Sequence, residues 1–455
     1  MSTQQALQRL QEETKAEVFY VGGFVRDYAR GKKNDDIDIV IRRLDMKHII
    51  QFLSELGPCK RVNLSDNIEI LLFRAHGDKT VAQISLPRRN LQQIADKNNT
   101  LRQDAKYRDF HINAMYLPIN FKSRRDIIDP LDRGRIEIAE GLISTYHLDL
   151  FKMSPIRLLR MVSVAARTGY KVHDKLLEQA KEDAHLLVRA PAELMRKEFN
   201  KILLSAKPSK YLKLLNRLNL LPIVAPELAA CVGVAQDTRY HKYDVFTHCI
   251  YTCDNTEPDL VLRLAGLLHD IGKPGTRKKV GQHVTFHKHE MLSVKLTKSF
   301  LNRLRYDGQT KADILNLVRL HMYHYTREYG NGAVRRFIKK VGITSDTVDK
   351  LGDLPLFKLR QAERLGNGLK TEPVTQRQLD FEERIKKIFN KGAGLALKDL
   401  DINGHIIKEA FELEDGELVG VILNYLLDQV QQDKKLNERF TLIELTLQYL
   451  RNNST

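Results

Sequence analysis

The 455-residue chain has the composition of a globular protein, with 42% apolar and 29% charged residues. Its length predicts two to four packed units rather than a single core. No apolar run approaches the roughly 18 residues that cross a bilayer, which excludes a membrane-spanning protein. The N-terminal stretch MSTQQALQRLQEE has no apolar signal region, so we expect a cytoplasmic location. The formal net charge of +17 favours a polyanionic partner, because Lys and Arg neutralise phosphates.

Hydrophobic periodicity divides the chain into two parts. The first 140 residues contain strand-like runs at residues 18–21, 37–41, 68–73, 81–84 and 112–117. From about residue 142 onward, apolar residues recur at i, i+3 and i+4, the spacing of amphipathic helices. We therefore predict an α+β protein, with a small α/β head on a mixed sheet and a long all-α body. The predicted domains are a head, a helical neck, a histidine-rich domain and a C-terminal helical tail, at residues 1–140, 141–235, 236–370 and 371–455.

The stretch VGGFVRDYARGKKNDDIDIVI carries the most chemical information. Gly22 and Gly23 follow a strand, and without side chains they let backbone N–H groups approach a phosphate. The guanidinium of Arg26 can donate two parallel, charge-assisted hydrogen bonds to a triphosphate. Asp36 and Asp38 are separated by one residue on a predicted strand, so both carboxylates project from one face. The two carboxylates repel each other unless divalent cations are bound between them. Two ions held there can activate a terminal 3′-hydroxyl and neutralise the charge of a triphosphate.

The combination GGFVRD…DDIDIV resembles the signature of class II tRNA nucleotidyltransferases and bacterial poly(A) polymerases. The resemblance implies template-independent addition of CMP and AMP, from CTP and ATP, to the 3′ end of tRNA, with Mg²⁺ held by Asp36 and Asp38. It continues through DAKYRDFHINAMY, where it assigns Arg108 and Asp109 to the ribose and phosphates of the nucleotide. Tyr107 stands where the family usually carries another arginine.

The segment KMSPIRLLRMV departs from the family at a position that selects the nucleotide. Family members carry Glu-Asp-x-x-Arg there on a helix, and the resemblance implies that the Asp and Arg read the hydrogen-bonding edge of C or A. This chain keeps Arg157 but has Met153 and Ser154 in place of the acidic pair. Arg160, one turn further on, either packs or meets phosphate. A poly(A) polymerase or a partial A- or CC-adding enzyme therefore remains an alternative to CCA addition.

Two further features bear on the RNA product. The polar stretch LPRRNLQQIADKNN, at residues 86–99, stands where the family carries a flexible loop needed for the final A, which argues against a CC-only enzyme. The basic helical body is expected to bind the acceptor stem of tRNA by contacting the RNA backbone and recognising the shape of the stem. We expect neither DNA nor a membrane as a partner.

The third predicted domain contains His248 and, in LAGLLHDIGKP, the adjacent His269 and Asp270. This pattern resembles the HD phosphohydrolase superfamily, in which imidazoles and a carboxylate converge on a divalent metal. The resemblance assigns a divalent transition metal to His248, His269, Asp270 and His289, with His289 favoured over His287.

Three other residues bear on this metal site. His321 and His324 lie at i, i+3 and could face it, while Glu363 stands where the superfamily has an aspartate. If active, the site would act on phosphomonoesters or cyclic phosphates at RNA ends. A second class of function is therefore a hydrolase whose head only binds RNA, and a third is a structural RNA-binding protein.

Overall fold

The computed structural model describes residues 1–65, 68–90, 94–281, 283–323, 330–393, 397–413 and 416–453. The chain folds into two compact units. Unit 1 contains Met1–Cys231 and Lys298–Gly308, and unit 2 contains Val232–Thr297 and Gln309–Thr455. Within the described segments, no helix has the length and apolar character that a membrane span requires. The division into four domains stays a prediction.

A six-stranded mixed sheet forms the centre of the head in unit 1. Its strands are β1 Glu17–Val21, β2 Ile37–Arg42, β3 Cys59–Ser65, β4 Ile68–Phe73, β5 Ala82–Ser85 and β6 Tyr116–Pro118. They lie in the order β3-β4-β5-β2-β1-β6. Strands β2 and β5 run parallel, and the other neighbours are antiparallel. The predicted mixed sheet is therefore confirmed, with β2 at its centre.

Four predicted strands are confirmed as β1, β2, β4 and β5, while two parts of the sheet differ from the prediction. The strand predicted at 112–117 is wrong in extent, because His111–Asn113 form a 3₁₀ turn and pairing begins only at Tyr116. Within the turn, the side chain of Asn113 accepts a hydrogen bond from Arg26 and donates one to Asp109, so this stretch contributes to a polar side-chain network and not to the β ladder. Strand β3, CKRVNLS, was not predicted because a polar edge strand lacks clear apolar alternation.

Both faces of β2 are covered. Ile39 and Ile41 are fully buried in the larger core of the head. Val40 points the opposite way, into a smaller cluster that includes Val21 and Tyr116. Because side chains alternate along a strand, Asp38 shares the face of Val40. The rigid central strand therefore sets the direction of this carboxylate.

Helices make up most of the rest of unit 1. They are α1 Thr3–Glu13, α2 Gly23–Ala29, α3 Met46–Ser54, α4 Leu101–Lys106, α5 Gly134–Glu140, α6 Leu150–Met153, α7 Arg157–Thr168, α8 Asp174–Glu182, α9 Ala192–Leu203, α10 Pro208–Arg217, α11 Leu221–Val224 and α12 Pro226–Ala229. Their ends carry the expected signals: Ser2 caps α1 in a capping box, and Gly169 ends α7 in the left-handed conformation. A short parallel pair, β7 Leu142–Ile143 and β8 Lys171–Val172, lies among these helices.

Unit 2 is also mainly helical. Its elements begin with α13 Val245–Asp254, α14 Leu260–Leu268, α15 Lys273–Thr276, the hairpin strands β9 Lys278–Val280 and β10 His283–Thr285, α16 His289–Arg303 (whose end belongs to unit 1) and α17 Gly308–Leu320. They continue with α18 Asn331–Val341, α19 Pro355–Gly366, α20 Gln376–Ile388, α21 Gly404–Phe411, α22 Glu417–Gln432 and α23 Arg439–Asn453. In the described residues the body is helical apart from two small strand pairs, and the predicted fold class, a mixed-sheet head followed by a helical body, is confirmed.

Helix α19 ends at Gly366, which lies directly against Thr252 of α13. A Cβ atom at Gly366 would lie 2.6 Å from both the backbone nitrogen and Oγ1 of Thr252. Gly366→Ala should therefore lower the free energy of unfolding by about 1–3 kcal/mol, since backbone must shift to admit the methyl group. The matched control is Gly420→Ala on the exposed side of α22, where a Cβ meets nothing within 4 Å.

Gly420→Ala should instead stabilise by about 0.5–1 kcal/mol, because alanine loses less backbone entropy in a helix. Thermal unfolding followed by circular dichroism measures both variants. Equal melting temperatures for the two would contradict the close packing of α13 and α19.

Candidate functional site

The turn between β1 and α2 lies directly against Asp38. Val21 pairs with Asp38 across β1 and β2, and Gly22 follows with φ of 71°. A Cβ at Gly22 would stand 3.0 Å from Asp38 Oδ2, and one at Gly23 would stand 3.2 Å from Asn34 Nδ2. Glycine is needed at Gly22 both for the backbone conformation and for this approach.

Asp36 and Asp38 line one cleft, together with the glycine turn. Asp38 is half-buried on β2, whereas Asp36 is exposed and immediately precedes the strand, so the prediction of two carboxylates on the strand itself needs this correction. Burial raises the pKa of Asp38, and the charge of Asp36 adds to that effect. A bound cation would relieve both penalties, and carboxylate oxygens are the donors that Mg²⁺ prefers. The two residues therefore fit a hard divalent cation.

Arg26 is buried and rigidly held at the wall of the cleft. Its Nε and Nη2 donate to the two oxygens of Asp27 at 2.9 and 2.7 Å, and its Nη1 donates to Asn113 Oδ1 at 3.0 Å. Asp27 also accepts from Asn34 Nδ2 at 2.7 Å. Although burial disfavours the carboxylate, these donors hold the pKa of Asp27 below its usual value. The guanidinium is thus oriented before any ligand arrives.

Arg108 and Asp109 lie next to each other in sequence but have different partners. Arg108 pairs with buried Asp104, with 2.7 Å between Nη2 and Oδ2. Asp109 Oδ1 accepts from Asn113 Nδ2 at 3.1 Å, and its Oδ2 lies 3.3 Å from Arg160 Nη1. Burial opposes its charge, yet the nearby arginines and Asn113 lower the pKa of Asp109 to about 2. Asp109 is therefore a permanent anion at neutral pH.

Arg157 begins α7 and faces the same cleft. Its Nη2 donates to the Tyr107 carbonyl at 2.8 Å, whereas its buried Nη1 has no hydrogen-bond partner among the described residues. Burial lowers the pKa of Arg157 to about 9, so it remains charged at neutral pH. Met153 ends α6 and Ser154 caps it, and neither lines the cleft. The cleft thus offers a charged donor here without the neighbouring acid that the signature predicts.

Glu198 and Lys201 of α9 also reach the cleft and were not predicted. Glu198 is buried and accepts from Lys201 Nζ at 2.8 Å, and one of its oxygens lies 3.7 Å from Arg160 Nε. Their i, i+3 spacing is that of an ordinary ion pair on a helix surface, so no sequence signal marked them as part of the site. The basic residues that line the cleft outnumber the acidic ones by seven to five and are Arg26, Arg88, Arg108, Arg157, Arg160, Arg167 and Lys201.

A second cluster lies in unit 2 and joins six residues from separate segments. They are His248, His269, Asp270, His289, His321 and Glu363. The four predicted ligands are among them, and His321 and Glu363 join them. His287 is exposed at the rim of the same pocket, while His324 lies outside the described residues.

The pocket beside this cluster encloses about 950 Å³. Four of its exposed basic side chains have no ion pair with another described residue, and they are Lys288, Arg319, Arg336 and Lys340. A cluster of imidazoles beside unpaired cations suits a phosphate-bearing ligand.

Comparison with known proteins identifies the family to which the chain belongs. The family description "Poly A polymerase head domain" matches residues 18–144, "Probable RNA and SrmB- binding site of polymerase A" matches residues 169–232, and "HD domain" matches residues 231–390. The "Multifunctional CCA protein" of Neisseria gonorrhoeae is 30% identical over 338 residues, which are 71% of this chain and 78% of that protein. The chain belongs to the class II CCA-adding and poly(A) polymerase family of nucleotidyltransferases and carries an HD domain.

Other relatives differ in the product that their names state. The "A-adding tRNA nucleotidyltransferase" of Deinococcus radiodurans is 28% identical over 333 residues, covering 70% of this chain and 71% of that protein. Among solved structures, the CCA-adding enzyme of Bacillus stearothermophilus in complex with CTP is similar at a TM-score of 0.64 and 17% identity, covering 99% and 97% of the two chains. The Thermotoga maritima CCA-adding enzyme complexed with tRNA has a TM-score of 0.54 at 17% identity, covering 98% and 94%. These structures confirm the fold predicted from the signatures.

Asp109 makes the stability of unit 1 depend on pH. Its folded pKa of about 2 lies below the value of about 3.9 expected in the unfolded chain. Because the unfolded state binds the proton first, the stabilisation is full above about pH 4 and is lost as the pH falls towards 2. It amounts to about 2–3 kcal/mol, and Asp109→Asn should therefore flatten the acid dependence of the urea midpoint between pH 5 and 3.

The matched control is Asp132→Asn, whose side chain is 86% exposed, and it should keep the slope of the parent protein. Parallel slopes for all three proteins would contradict the ionic role of Asp109.

Proposed function

We propose that this protein adds CMP and AMP residues, from CTP and ATP, to the 3′ end of tRNA. The observation that carries the proposal is the approach of the Gly22 turn to Asp38 in a cleft that also holds Asp36 and Arg157. A carboxylate pair, a phosphate-sized backbone turn and a buried arginine are the parts that template-independent nucleotidyl transfer requires. The relatives named for CCA addition and for A addition support the same reaction class.

The residues of the head have separate roles in nucleotidyl transfer. Asp36 and Asp38 would hold Mg²⁺, which would supply activation of the terminal 3′-hydroxyl and neutralisation of the triphosphate charge. The backbone of Gly22 and Gly23 and the oriented Arg26 receive the phosphates. No side chain is assigned as general base, because positioning and charge stabilisation account for an in-line displacement.

The ribose and the base are held on the other side of the cleft. Arg108 and Asp109 contact the ribose and phosphates, and a carboxylate that accepts from a 2′-hydroxyl favours ribonucleotides. Arg160 lies 3.3 Å from Asp109 and keeps that carboxylate charged. Arg157 reads the base through Nη1, which has no hydrogen-bond partner in the described part of the chain and can donate to a ring acceptor of C or A.

The basic surface binds tRNA. With a net charge of +17, the chain attracts the phosphate backbone, and A-form grooves favour recognition of shape over sequence. The replacement of the expected acid by Ser154 favours two alternative products, a run of A residues or a single A. Both products use the same transfer chemistry.

The HD domain supports a second activity, hydrolysis of phosphomonoesters or cyclic phosphates at RNA ends. The observation that favours it is the cluster around His269 and Asp270, which opens on a pocket with four basic side chains that form no ion pair with another described residue. A divalent transition metal held by His248, His269, Asp270 and His289 would act as a Lewis acid on the phosphoryl group. This activity is independent of Asp36 and Asp38.

Crossed substitutions test both activities. Asp36→Asn and Asp38→Asn should each lower nucleotide incorporation by at least about 100-fold, because the cation is no longer held, and leave phosphatase activity unchanged. His269→Ala and Asp270→Asn should do the reverse. The assay is incorporation of each labelled NTP, supplied singly, into tRNA that ends at the discriminator base, beside release of phosphate from RNA ends.

Incorporation of C followed by A supports the main proposal. A long tail of A alone would replace the main proposal with poly(A) synthesis. Loss of incorporation in the HD variants, but not in the Asp36 and Asp38 variants, would overturn the main proposal. Hydrolysis that survives both HD substitutions would exclude the second activity.

Arg157→Lys should relax nucleotide choice. Lysine keeps the charge but loses the fixed fork, so discrimination against UTP and GTP should fall by about tenfold, the value of one lost base contact. The measurement is kcat/KM for each NTP on the same tRNA. The control is Arg189→Lys, an exposed residue outside the cleft, which should match the parent. Unchanged ratios in Arg157→Lys would show that another group reads the base.

A further inference from the structure

Arg88 lines the cleft of the head and lacks a carboxylate partner. Of the two buried carboxylates nearby, Asp104 Oδ2 lies 2.7 Å from Arg108 Nη2. Asp109 Oδ2 lies 3.3 Å from Arg160 Nη1. Both carboxylates are therefore paired with other arginines, and Arg88 forms no ion pair within the described part of the chain. Burial lowers the pKa of Arg88, and the charge of Arg108 adds to that effect. A ligand that accepts hydrogen bonds would stabilise this cation.

The backbone of Arg88 is firmly held, whereas its guanidinium is not. The backbone N–H donates to Asp104 Oδ1 at 2.7 Å, and the carbonyl accepts from Asn99 Nδ2. Arg88 also pairs with Ala95 in an antiparallel bridge. By contrast, Nη1 of the guanidinium lies 3.5 Å from the Tyr107 carbonyl oxygen, beyond the usual range of hydrogen-bond distances. The side chain thus starts from a fixed point, and a ligand needs to order only the torsions of that side chain.

The Tyr107 carbonyl brings Arg88 next to Arg157. The same oxygen accepts from Arg157 Nη2 at 2.8 Å, and both arginines line the cleft. Burial lowers the pKa of Arg157, and the charge of Arg88 contributes to that effect. Two guanidinium groups that meet at one oxygen repel each other. An electron-rich ligand edge in the cleft would relieve this repulsion and accept from both groups.

We propose that Arg88 is a second donor to the base of the incoming nucleotide and determines, together with Arg157, which nucleotides are accepted. The pairing edges of C and A each present a ring nitrogen that carries no hydrogen and accepts. The corresponding ring nitrogen of U and G carries a hydrogen and donates. Two arginines therefore fit C and A, whereas U and G would leave buried donors unpaired. Selection of C and A then needs no acid, which agrees with Ser154 at the place of the expected carboxylate.

This inference rests on the proposed nucleotidyl transfer, and the choice among nucleotides tests it. The measurement is kcat/KM of the full-length protein for CTP, ATP, UTP and GTP on the same tRNA. Arg88→Gln should lower the preference for CTP and ATP over UTP and GTP by about tenfold, the value of one lost base contact. The matched control is Arg89→Gln, which changes the exposed neighbour outside the cleft and should keep the ratios of the parent.

Two further variants strengthen the test. Arg88→Lys keeps the charge and most of the side-chain volume but loses the planar fork, so it should also lower the ratios, and it serves if Arg88→Gln does not fold. If both arginines contact one base, their effects are not independent. Arg88→Gln added to Arg157→Lys should then change the ratios by less than about threefold, because the base is already poorly held. Circular dichroism melts establish that each variant is folded.

The outcomes separate this inference from the proposed function. Unchanged ratios in folded Arg88→Gln and Arg88→Lys would overturn the inference. A fall in kcat/KM by the same factor for all four nucleotides would also overturn it, because a phosphate contact does not depend on the base. Both results leave the proposed function in place as long as the parent incorporates nucleotides into tRNA. No incorporation by the parent would overturn the proposed function and the inference together.

Discussion

The antiparallel register of β1 and β2 is the constraint on which the head depends. It sets Val21 opposite Asp38, so the chain must turn away from the sheet at the point where the carboxylate emerges. Only glycine permits that turn, because φ at Gly22 is 71° and a Cβ would meet Asp38 at 3.0 Å. The same register presents backbone N–H groups and an acidic side chain to one point. The proposed phosphate contact and the proposed cation contact would therefore both follow from a single strand pairing.

The buried charged side chains around the Gly22 turn and Asp38 are held in ion pairs and are not isolated. Arg26 is held by Asp27, and Arg108 by Asp104, so neither guanidinium needs to reorganise when a ligand enters. Burying such ions is costly unless they are paired and hydrogen-bonded, and both pairs meet that condition. Arg157 differs in its partner, since its Nη2 donates to a backbone carbonyl and its buried Nη1 has no hydrogen-bond partner among the described residues. A buried donor of this kind that lines a cleft is available to a ligand.

The local parts of this design could be predicted from sequence, and the contacts between distant segments could not. The alternation in β2, the glycine pair and the adjacent His269 and Asp270 are short patterns with a direct chemical reading, and they led to the family that is confirmed. Glu198 and Lys201 reach the cleft only because α7 and α9 pack together, and no short pattern reports that packing. Strand β3 was missed for a related reason: an edge strand needs only one neighbour, so its sequence stays polar.

The departure at Ser154 shows how local structure and specificity are connected. In the family signature an acid and an arginine share a helix, whereas here α6 ends at Met153 and α7 begins at Arg157. The backbone between them leaves the helical path, and Ser154 does not line the cleft. A single protein donor discriminates between bases less strictly than a donor and an acceptor together. With only one protein group to satisfy, fewer of the wrong bases leave a buried protein group unpaired. Under the proposed assignment of Arg157 to the base, fidelity would depend on how rigidly the Tyr107 carbonyl holds Arg157, a backbone contact that substitution at position 107 would leave in place.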